Sequence, residues 1–298
     1  MAGLLERPTA YRHVVFPGAP AREQEAFNFT PVPIVLSSSA TELGDDEREL
    51  ARWIFSEANL HLDDYRPETI KRRIAACLRA LRLERVSQVR PAIYRKPELL
   101  AVAIASLLIG VTSFFRDPSV YDALAALLPR LVATVAAPRI WSAACSDGAE
   151  LYSVSMLLAE IGAVQRTTLL GTDFRLDAIT AARQGVYDPN SVKTLPSRYL
   201  TRYMRSEYAS WRIHPYLRSI AEWRSGDLTK ECEPGEWDVI LCRNVSIYLQ
   251  PTAARRLWER LERALKPGGY LVLGKAEKPV GVRGLRPVVP CIYRRVGN

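Results

Sequence analysis

Long apolar runs and paired cysteines are both missing from this sequence of 298 residues. The longest nearly apolar run, Leu99 to Val111, has 13 residues, whereas a helix that crosses a bilayer needs about 20. The amino-terminal residues lack the apolar region of a secretory signal. The five cysteines are scattered and form no C-x-x-C pair, which favours free thiols in a reducing compartment. The sequence therefore predicts a cytoplasmic protein without membrane insertion.

Histidine is scarce as well. The three histidines, His13, His61 and His214, lie far apart, and no cluster of cysteines accompanies them. Structural zinc sites use clustered cysteine and histidine ligands, so we predict no metal site. Hydrophobic residues make up 48% of the chain and charged residues 24%, a balance that excludes a disordered chain and a disulfide scaffold.

Positive charge is concentrated in one segment. The formal net charge is +9, and residues 66–96 alone contain ten basic and two acidic residues and carry +8. Pro67 suits the first turn of a helix. Apolar residues then recur at helical spacing, at Ile70, Ile74, Cys77 and Leu81.

The opposite face of this predicted helix is basic and carries Lys71, Arg72, Arg79 and Arg82. One interpretation is an ordinary solvated helix face. The other is a docking surface for an anionic macromolecule, either nucleic acid or an acidic protein.

Three regions follow one another along the chain. Residues 1–42 are rich in proline and serine and predict a flexible extension without its own core. Residues 43–132 show only helical patterns and predict a helical domain, with helices near 45–59, 98–108 and 119–131 in addition to the basic one. Residues 133–298 alternate strands and helices, which predicts an α/β domain with a parallel sheet. Within it, residues 190–225 contain short β-rich pieces that predict a small antiparallel insert.

The α/β region has the layout of a nucleoside site. A predicted strand at 139–144, a turn and a helix precede a second strand that ends in Asp173, 25 residues after Gly148. A carboxylate at such a strand end can accept hydrogen bonds from both ribose hydroxyls. The turn SAACSDGAE has a single glycine, whereas a pyrophosphate needs close backbone approach at several points. An adenosine ligand without phosphates fits better, and S-adenosylmethionine is the one we predict.

Longer segments resemble one known family. TSFFRD (112–117) and CRNVSIY (242–248) are similar to motifs of the CheR-type chemotaxis receptor methyltransferases, and the similarity extends from about Asp45 to the carboxyl terminus. These enzymes methylate glutamate side chains with S-adenosylmethionine and release S-adenosylhomocysteine. The resemblance implies an all-helical amino-terminal domain followed by a Rossmann-like class I methyltransferase domain with a small β insert.

The resemblance also implies roles for individual residues. Thr112 and Arg116 match a threonine and an arginine that contact the cofactor, and Tyr248 matches a tyrosine near the reactive methyl group. Arg116 and Tyr248 are the implied catalytic residues. Arg116 can pair with the carboxylate of either the methionine moiety or the acceptor, and Asp173 matches the ribose-binding acid. The implied cofactor-binding residues are Thr112, Arg116, Ala143, Glu150, Asp173, Asp227, Leu228, Arg243 and Asn244.

The chain departs from the family pattern at several positions. Gly110 stands where an amide or other polar residue is common, and Lys275 stands where a histidine is usual. Ala149 replaces an acid that is a partner for the ammonium group of the cofactor, and Glu150 can substitute only from a position about 100° around the helix. Leu249-Gln250 replaces Phe-Asp after the tyrosine. These departures leave two alternatives open: a catalytically degenerate regulatory module, and a methyltransferase repurposed for a small molecule.

The leading hypothesis is methyl transfer to glutamate carboxylates of a methyl-accepting signalling protein. A glutamate with a pKa near 4.3 is already an anionic nucleophile at neutral pH, so the reaction needs alignment and exclusion of water more than a general base. The resemblance implies that the basic helix docks on an acidic helical region of a chemoreceptor-like partner rather than on nucleic acid.

Overall fold

The computed structural model describes residues 42–108, 110, 112–230 and 232–297. These residues form one compact unit. Of the predicted extension over residues 1–42, all but Glu42 lies outside the described residues. None of the described helices combines the length and the apolar character needed to cross a membrane.

Helices alone make up the first part of this unit. They are α1 (Asp45–Glu57), α2 (Pro67–Leu81), α3 (Val89–Arg95), α4 (Leu99–Leu107) and α5 (Pro118–Thr134). Helices α1 to α4 share one core, in which Ile54, Phe55, Ile70 and Leu107 are almost fully buried. The described structure therefore confirms an all-helical amino-terminal region.

Helix α5 packs differently from the prediction, which groups it with the helical domain. Its buried residues, among them Leu124 and Leu128, belong to the core beneath the sheet. The difference arises because an apolar stripe shows that a helix is buried but does not show which neighbour covers it.

Helix α2 has the predicted amphipathic character. Pro67 occupies its first turn, and all four residues of the predicted stripe are buried. Arg72, Arg79 and Arg82 are exposed, and Lys71 is partly exposed. The helix ends at Leu81, and the next residue, Arg82, adopts a left-handed conformation with φ 57°, a conformation that glycine adopts at lower cost.

A doubly wound α/β sheet follows the helices. Its strands and those of the insert are β1 (Arg139–Ala143), β2 (Thr168–Asp173), β3 (Val186–Tyr187), β4 (Met204–Glu207), β5 (Ser210–Ile213), β6 (Ala221–Ser225), β7 (Trp237–Cys242), β8 (Leu265–Leu273), β9 (Leu285–Val289) and β10 (Ile292–Arg295). The helices between them are α6 (Ala149–Glu160), α7 (Leu176–Gln184), α8 (Ser197–Tyr203), α9 (Pro215–Arg218) and α10 (Pro251–Ala264).

The main sheet has seven strands in the order β6-β2-β1-β7-β8-β10-β9. The first five are parallel, and β10 pairs antiparallel with both β8 and β9. Successive residues of β1 alternate between the two faces: Ile140 lies in the core with α5 and α6, and Trp141 in the core with α10. Both faces are thus covered, as in Rossmann-like folds, and the predicted fold class is confirmed.

The region of the insert differs from the prediction in detail. The small antiparallel sheet exists, with strand order β3-β5-β4, and α8 and α9 accompany its strands. Ala221–Ser225, predicted within the insert, is instead a parallel edge strand of the main sheet beside β2. Trp223 on this strand is buried in the core of the main sheet, which accounts for its placement. Strand β9 and the early start of β8 at Leu265 have no counterpart in the predicted pattern.

Arg82→Gly tests the strained end of α2. Glycine relieves the left-handed conformation, so we expect the free energy of unfolding to rise by about 0.5–1 kcal/mol. Arg79→Gly is the matched control, because the same exchange inside the helix should lower that free energy by about 1 kcal/mol. Urea denaturation of both variants measures the two signs, and equal destabilisation by both would contradict the assignment.

Candidate functional site

A cleft opens at the carboxyl ends of β1, β2 and β7, beside the point where the strand order reverses. Residues that follow these strands line one side, and Tyr65, Leu108 and Gly110 of the helical region line the other. Ligands bind at this edge of open parallel sheets because the loops on the two sides of the reversal diverge there. The cleft is therefore the candidate site.

The loop after β1 turns tightly into α6. Ala144, Ser146 and Gly148 have φ values of 60°, 53° and 89°. Glycine is needed at the last of these positions, because a Cβ there would also lie 2.6 Å from the Trp223 ring. The turn brings the Ser146 N–H to the end of β2, where it donates to Oδ2 of Asp173 at 2.9 Å.

Asp173 is the last residue of β2 and is only 7% exposed. Besides the Ser146 N–H on Oδ2, the backbone N–H of Arg175 donates to Oδ1 at 2.9 Å. A carboxylate offers about four lone-pair directions; Oδ1 also faces the Arg175 guanidinium, whose Nε lies 3.4 Å away, and Oδ2 keeps one direction for a further donor. This geometry fits the predicted role of Asp173 as acceptor for ribose hydroxyls.

Two buried acceptors in the cleft lack a hydrogen bond. One is Oδ2 of Asp227, although Lys230 Nζ lies 3.3 Å away; Oδ1 accepts from the backbone N–H and hydroxyl of Thr229 at 2.9 and 2.7 Å. The other is Oδ1 of Asn244. Buried polar atoms are usually satisfied, so these two oxygens fit a ligand that brings donors, such as the amino groups of S-adenosylmethionine.

A buried ionic network contributes Glu150 and Arg243 to the wall of the cleft. Arg243 donates to Oε2 of Glu150 at 3.2 Å and to Oδ2 of Asp117 at 3.0 Å, and its side chain is 2% exposed. Ser142 Oγ donates to the other oxygen of Glu150 at 2.8 Å. Burial raises the pKa of the Glu150 carboxyl, and Arg243 opposes this effect. Glu150 and Arg243 therefore line the cleft as a pair, in which each charge compensates the other.

Arg116 and Tyr248 face the cleft near the start of α2. Burial raises the pKa of the Tyr248 hydroxyl, and the nearby cations Arg116, Arg73 and Arg72 oppose the shift. The hydroxyl is therefore neutral at pH 7 and lies among positive charges. Such surroundings favour an approaching carboxylate.

Backbone hydrogen bonds join α2 to the loop that carries Tyr248. The Arg66 N–H donates to the Tyr248 carbonyl, and its Nε donates to the Leu249 carbonyl, both at 2.9 Å. The Gln250 N–H donates to the Asp64 carbonyl at 2.8 Å. The first turn of the basic helix is thus fixed to one wall of the cleft.

Glu277 is a site residue that the sequence-based assignment does not include. Its carboxylate is 3% exposed and accepts five hydrogen bonds, from the backbone N–H groups of Asn244, Val245, Ser246 and Gly274 and from the Ser246 hydroxyl. It therefore holds the loop between β7 and α10. The signal available in the sequence is its place at the end of LKPGGYLVLGKAE (265–277), four residues after the last residue of β8.

The structure brings most of the predicted residues together. The predicted residues that line the cleft are Thr112, Arg116, Glu150, Asp173, Asp227, Leu228, Arg243, Asn244 and Tyr248. Ala143 does not line it, because its side chain packs in the core with α10; Ala144 takes that place in the cleft wall. The four basic residues proposed for docking lie on α2 outside the cleft.

Comparison with known proteins agrees with this geometry. A family model described as CheR methyltransferase, SAM binding domain, matches residues 110–291. A chemotaxis protein methyltransferase of Vibrio parahaemolyticus is 27% identical over 265 residues, which cover 85% of this chain and 96% of the relative. Chemotaxis protein methyltransferase 2 of Pseudomonas aeruginosa is 28% identical over 273 residues, which cover 89% of this chain and 98% of the relative. Chemotaxis protein methyltransferase 1 of the same species is 34% identical over 191 residues, which cover 60% of this chain and 70% of the relative.

Glu277→Gln tests the role of the buried carboxylate. The amide cannot accept hydrogen bonds through its NH₂ group, which would face backbone N–H donors, so we expect a loss of about 2–3 kcal/mol in the free energy of unfolding. Ser246→Ala removes one donor from the same carboxylate and should cost only about 1 kcal/mol. Chemical denaturation measures both, and native stability of Glu277→Gln would show that other contacts hold the loop.

Proposed function

The chain belongs to the CheR methyltransferase family and uses S-adenosylmethionine as its cofactor, and from this premise we propose that it methylates glutamate carboxylates of a chemoreceptor-like signalling protein. The observation that carries the proposal is the attachment of basic helix α2 to the loop of Tyr248. An acidic helical partner bound along α2 would present its carboxylates at the mouth of the cleft. The names of the relatives, chemotaxis protein methyltransferases, support the same class of acceptor.

We assign the residues of the cleft to successive parts of the cofactor. Asp173 accepts from the ribose hydroxyls, and Asp227 with Leu228 faces the adenine, where Oδ2 of Asp227 is an available acceptor. The ionic pair of Glu150 and Arg243 faces the methionine moiety. Asn244, whose Oδ1 lacks a donor, faces the same end together with Thr112.

The cofactor supplies an electrophilic methyl group on a sulfonium. The protein then has to bring an acceptor oxygen into line with that group and to exclude water. Arg116 guides the acceptor carboxylate or holds the methionine carboxylate, and the neutral Tyr248 hydroxyl borders the reacting centre. No group is needed to remove a proton, because the acceptor glutamate is already ionised at neutral pH.

Docking of the acceptor is assigned to Lys71, Arg72, Arg79 and Arg82. Three of these side chains are exposed and one is partly exposed on the outer face of α2. Their contribution is mostly electrostatic, so it should decrease as ionic strength rises.

Arg116→Ala and Tyr248→Phe test the assignment of the reacting centre. We expect the transfer of labelled methyl groups to acidic receptor fragments to fall by at least about tenfold in Arg116→Ala, since a charge-assisted contact is lost. Tyr248→Phe should lower transfer while S-adenosylhomocysteine binding stays near the native value. Unchanged transfer in both variants would contradict the assignment.

A charge reversal of α2 tests the docking surface. In Arg79→Glu/Arg82→Glu we expect KM for an acidic helical fragment to rise by about tenfold or more, with kcat and cofactor affinity unchanged. Arg283→Glu/Arg286→Glu is the charge-matched control, because both arginines are exposed on or just before β9 and do not line the cleft. Equal effects of the α2 and β9 reversals would show that net charge, and not docking on α2, matters.

The same assays separate the alternative functions. Absence of calorimetric heat with S-adenosylmethionine at high micromolar concentration would favour a regulatory module. Label found on small carboxylates but not on protein fragments would favour a small-molecule methyltransferase.

A further inference from the structure

Arg175 occupies an unusual position at the ribose end of the cleft. It follows the end of β2 by two residues, lines the cleft, and its side chain is only 13% exposed. Its guanidinium lies directly against Gly110: a Cβ built on that glycine would fall within the guanidinium group. Any residue other than glycine at position 110 would therefore displace Arg175.

Ser146 holds this guanidinium in place. Nη2 of Arg175 donates to Ser146 Oγ at 2.9 Å, and Ser146 Oγ donates to the Gly110 carbonyl at 2.7 Å. The backbone N–H of the same serine donates to Asp173. One short residue thus positions both the carboxylate and the guanidinium.

The two charged side chains lie next to each other. Nε of Arg175 lies 3.4 Å from Oδ1 of Asp173. Asp173 can only accept hydrogen bonds and Arg175 can only donate them, whereas each hydroxyl of a ribose both donates and accepts. A carboxylate and a guanidinium side by side therefore match a vicinal diol better than a carboxylate alone.

We propose that Arg175 is a second ribose-recognition residue, and that Gly110 is the position that admits it. This inference rests on the assignment of Asp173 to the ribose and is independent of the acceptor. It also gives the departure at Gly110 a physical explanation. The polar side chain common at that position in the family is absent here, and the guanidinium of Arg175 fills the space from the opposite side of the cleft.

Calorimetry of Arg175→Ala tests the contact. We expect about tenfold weaker binding of S-adenosylhomocysteine, the loss typical of one charge-assisted hydrogen bond. The affinity for methylthioadenosine, which keeps the ribose but has neither the carboxylate nor the ammonium group, should fall by the same factor. Arg205→Ala, which removes an exposed arginine of the insert that does not line the cleft, should bind both ligands as the native chain does.

Three results would overturn the proposal. Unchanged or tighter binding of S-adenosylhomocysteine by Arg175→Ala would mean that Arg175 pairs with Asp173 and makes no favourable contact with the ribose. Weaker binding of S-adenosylhomocysteine alone would place Arg175 at the methionine carboxylate. Absence of binding to the native chain would remove the cofactor assignment as well, whereas failure of methyl transfer to receptor fragments would leave this inference intact.

A double-mutant cycle tests the part played by Gly110. Gly110→Ala should weaken S-adenosylhomocysteine binding about as much as Arg175→Ala does, because the new Cβ displaces the guanidinium. In the Arg175→Ala background the same substitution should have little effect on binding, since the space is then open. Additive effects of the two substitutions would contradict the proposed fit.

Discussion

Buried carboxylates that must be compensated determine the architecture of this site. A carboxylate removed from water is strongly destabilising unless hydrogen-bond donors or a cation surround it. Asp173 accepts hydrogen bonds from the backbone N–H groups of Ser146 and Arg175. Glu277 accepts hydrogen bonds from backbone N–H groups of the loop after β7, and Glu150 accepts one from Arg243. Because the donors are mostly backbone groups of loops at one edge of the sheet, satisfying each charge also fixes the course of a loop. The positions of the side chains that line the cleft follow from this constraint.

The same loops connect the cleft to the basic helix. The loop fixed by Glu277 continues into Tyr248 and Leu249, and the carbonyls of these two residues accept hydrogen bonds from Arg66 immediately before α2. A partner bound on α2 therefore contacts an element that shares backbone hydrogen bonds with the wall of the reacting centre. Under the proposed function, recognition of the acceptor and alignment of its carboxylate would be parts of one hydrogen-bonded arrangement, which is what a reaction that depends on alignment requires.

The spacing of apolar residues was sufficient to predict the helices that bury an apolar stripe and the strands that bury a continuous apolar run. The apolar spacing of α2 and the runs of β1, β2 and β7 predict those elements closely, and the acid at the end of β2 lies in the cleft, as predicted. Features set by long-range packing were not predictable. The attachment of α5 to the sheet and the pairing of β6 with β2 depend on which surface is available, and a short sequence window does not contain that information. The sequence did not identify Glu277 and Arg175 as site residues for a related reason. The role of an isolated charged residue depends on hydrogen-bond partners that are distant in sequence.

The methionine end of the cleft, as proposed above, shows how a departure in sequence is accommodated. Ala149 carries no charge, but the neighbouring Glu150 lines the cleft, and Glu150 and Asp117 both pair with Arg243. Lys275 Nζ lies 3.8 Å from the second oxygen of Asp117 and adds a cation to the same cluster. S-adenosylmethionine presents both an ammonium and a carboxylate at this end, so a mixed cluster of acids and bases can compensate both groups. An acid at position 149 would add one strong contact to the ammonium; the network instead distributes that interaction over residues which already compensate one another. The expected consequence is a change in affinity and not the loss of the site.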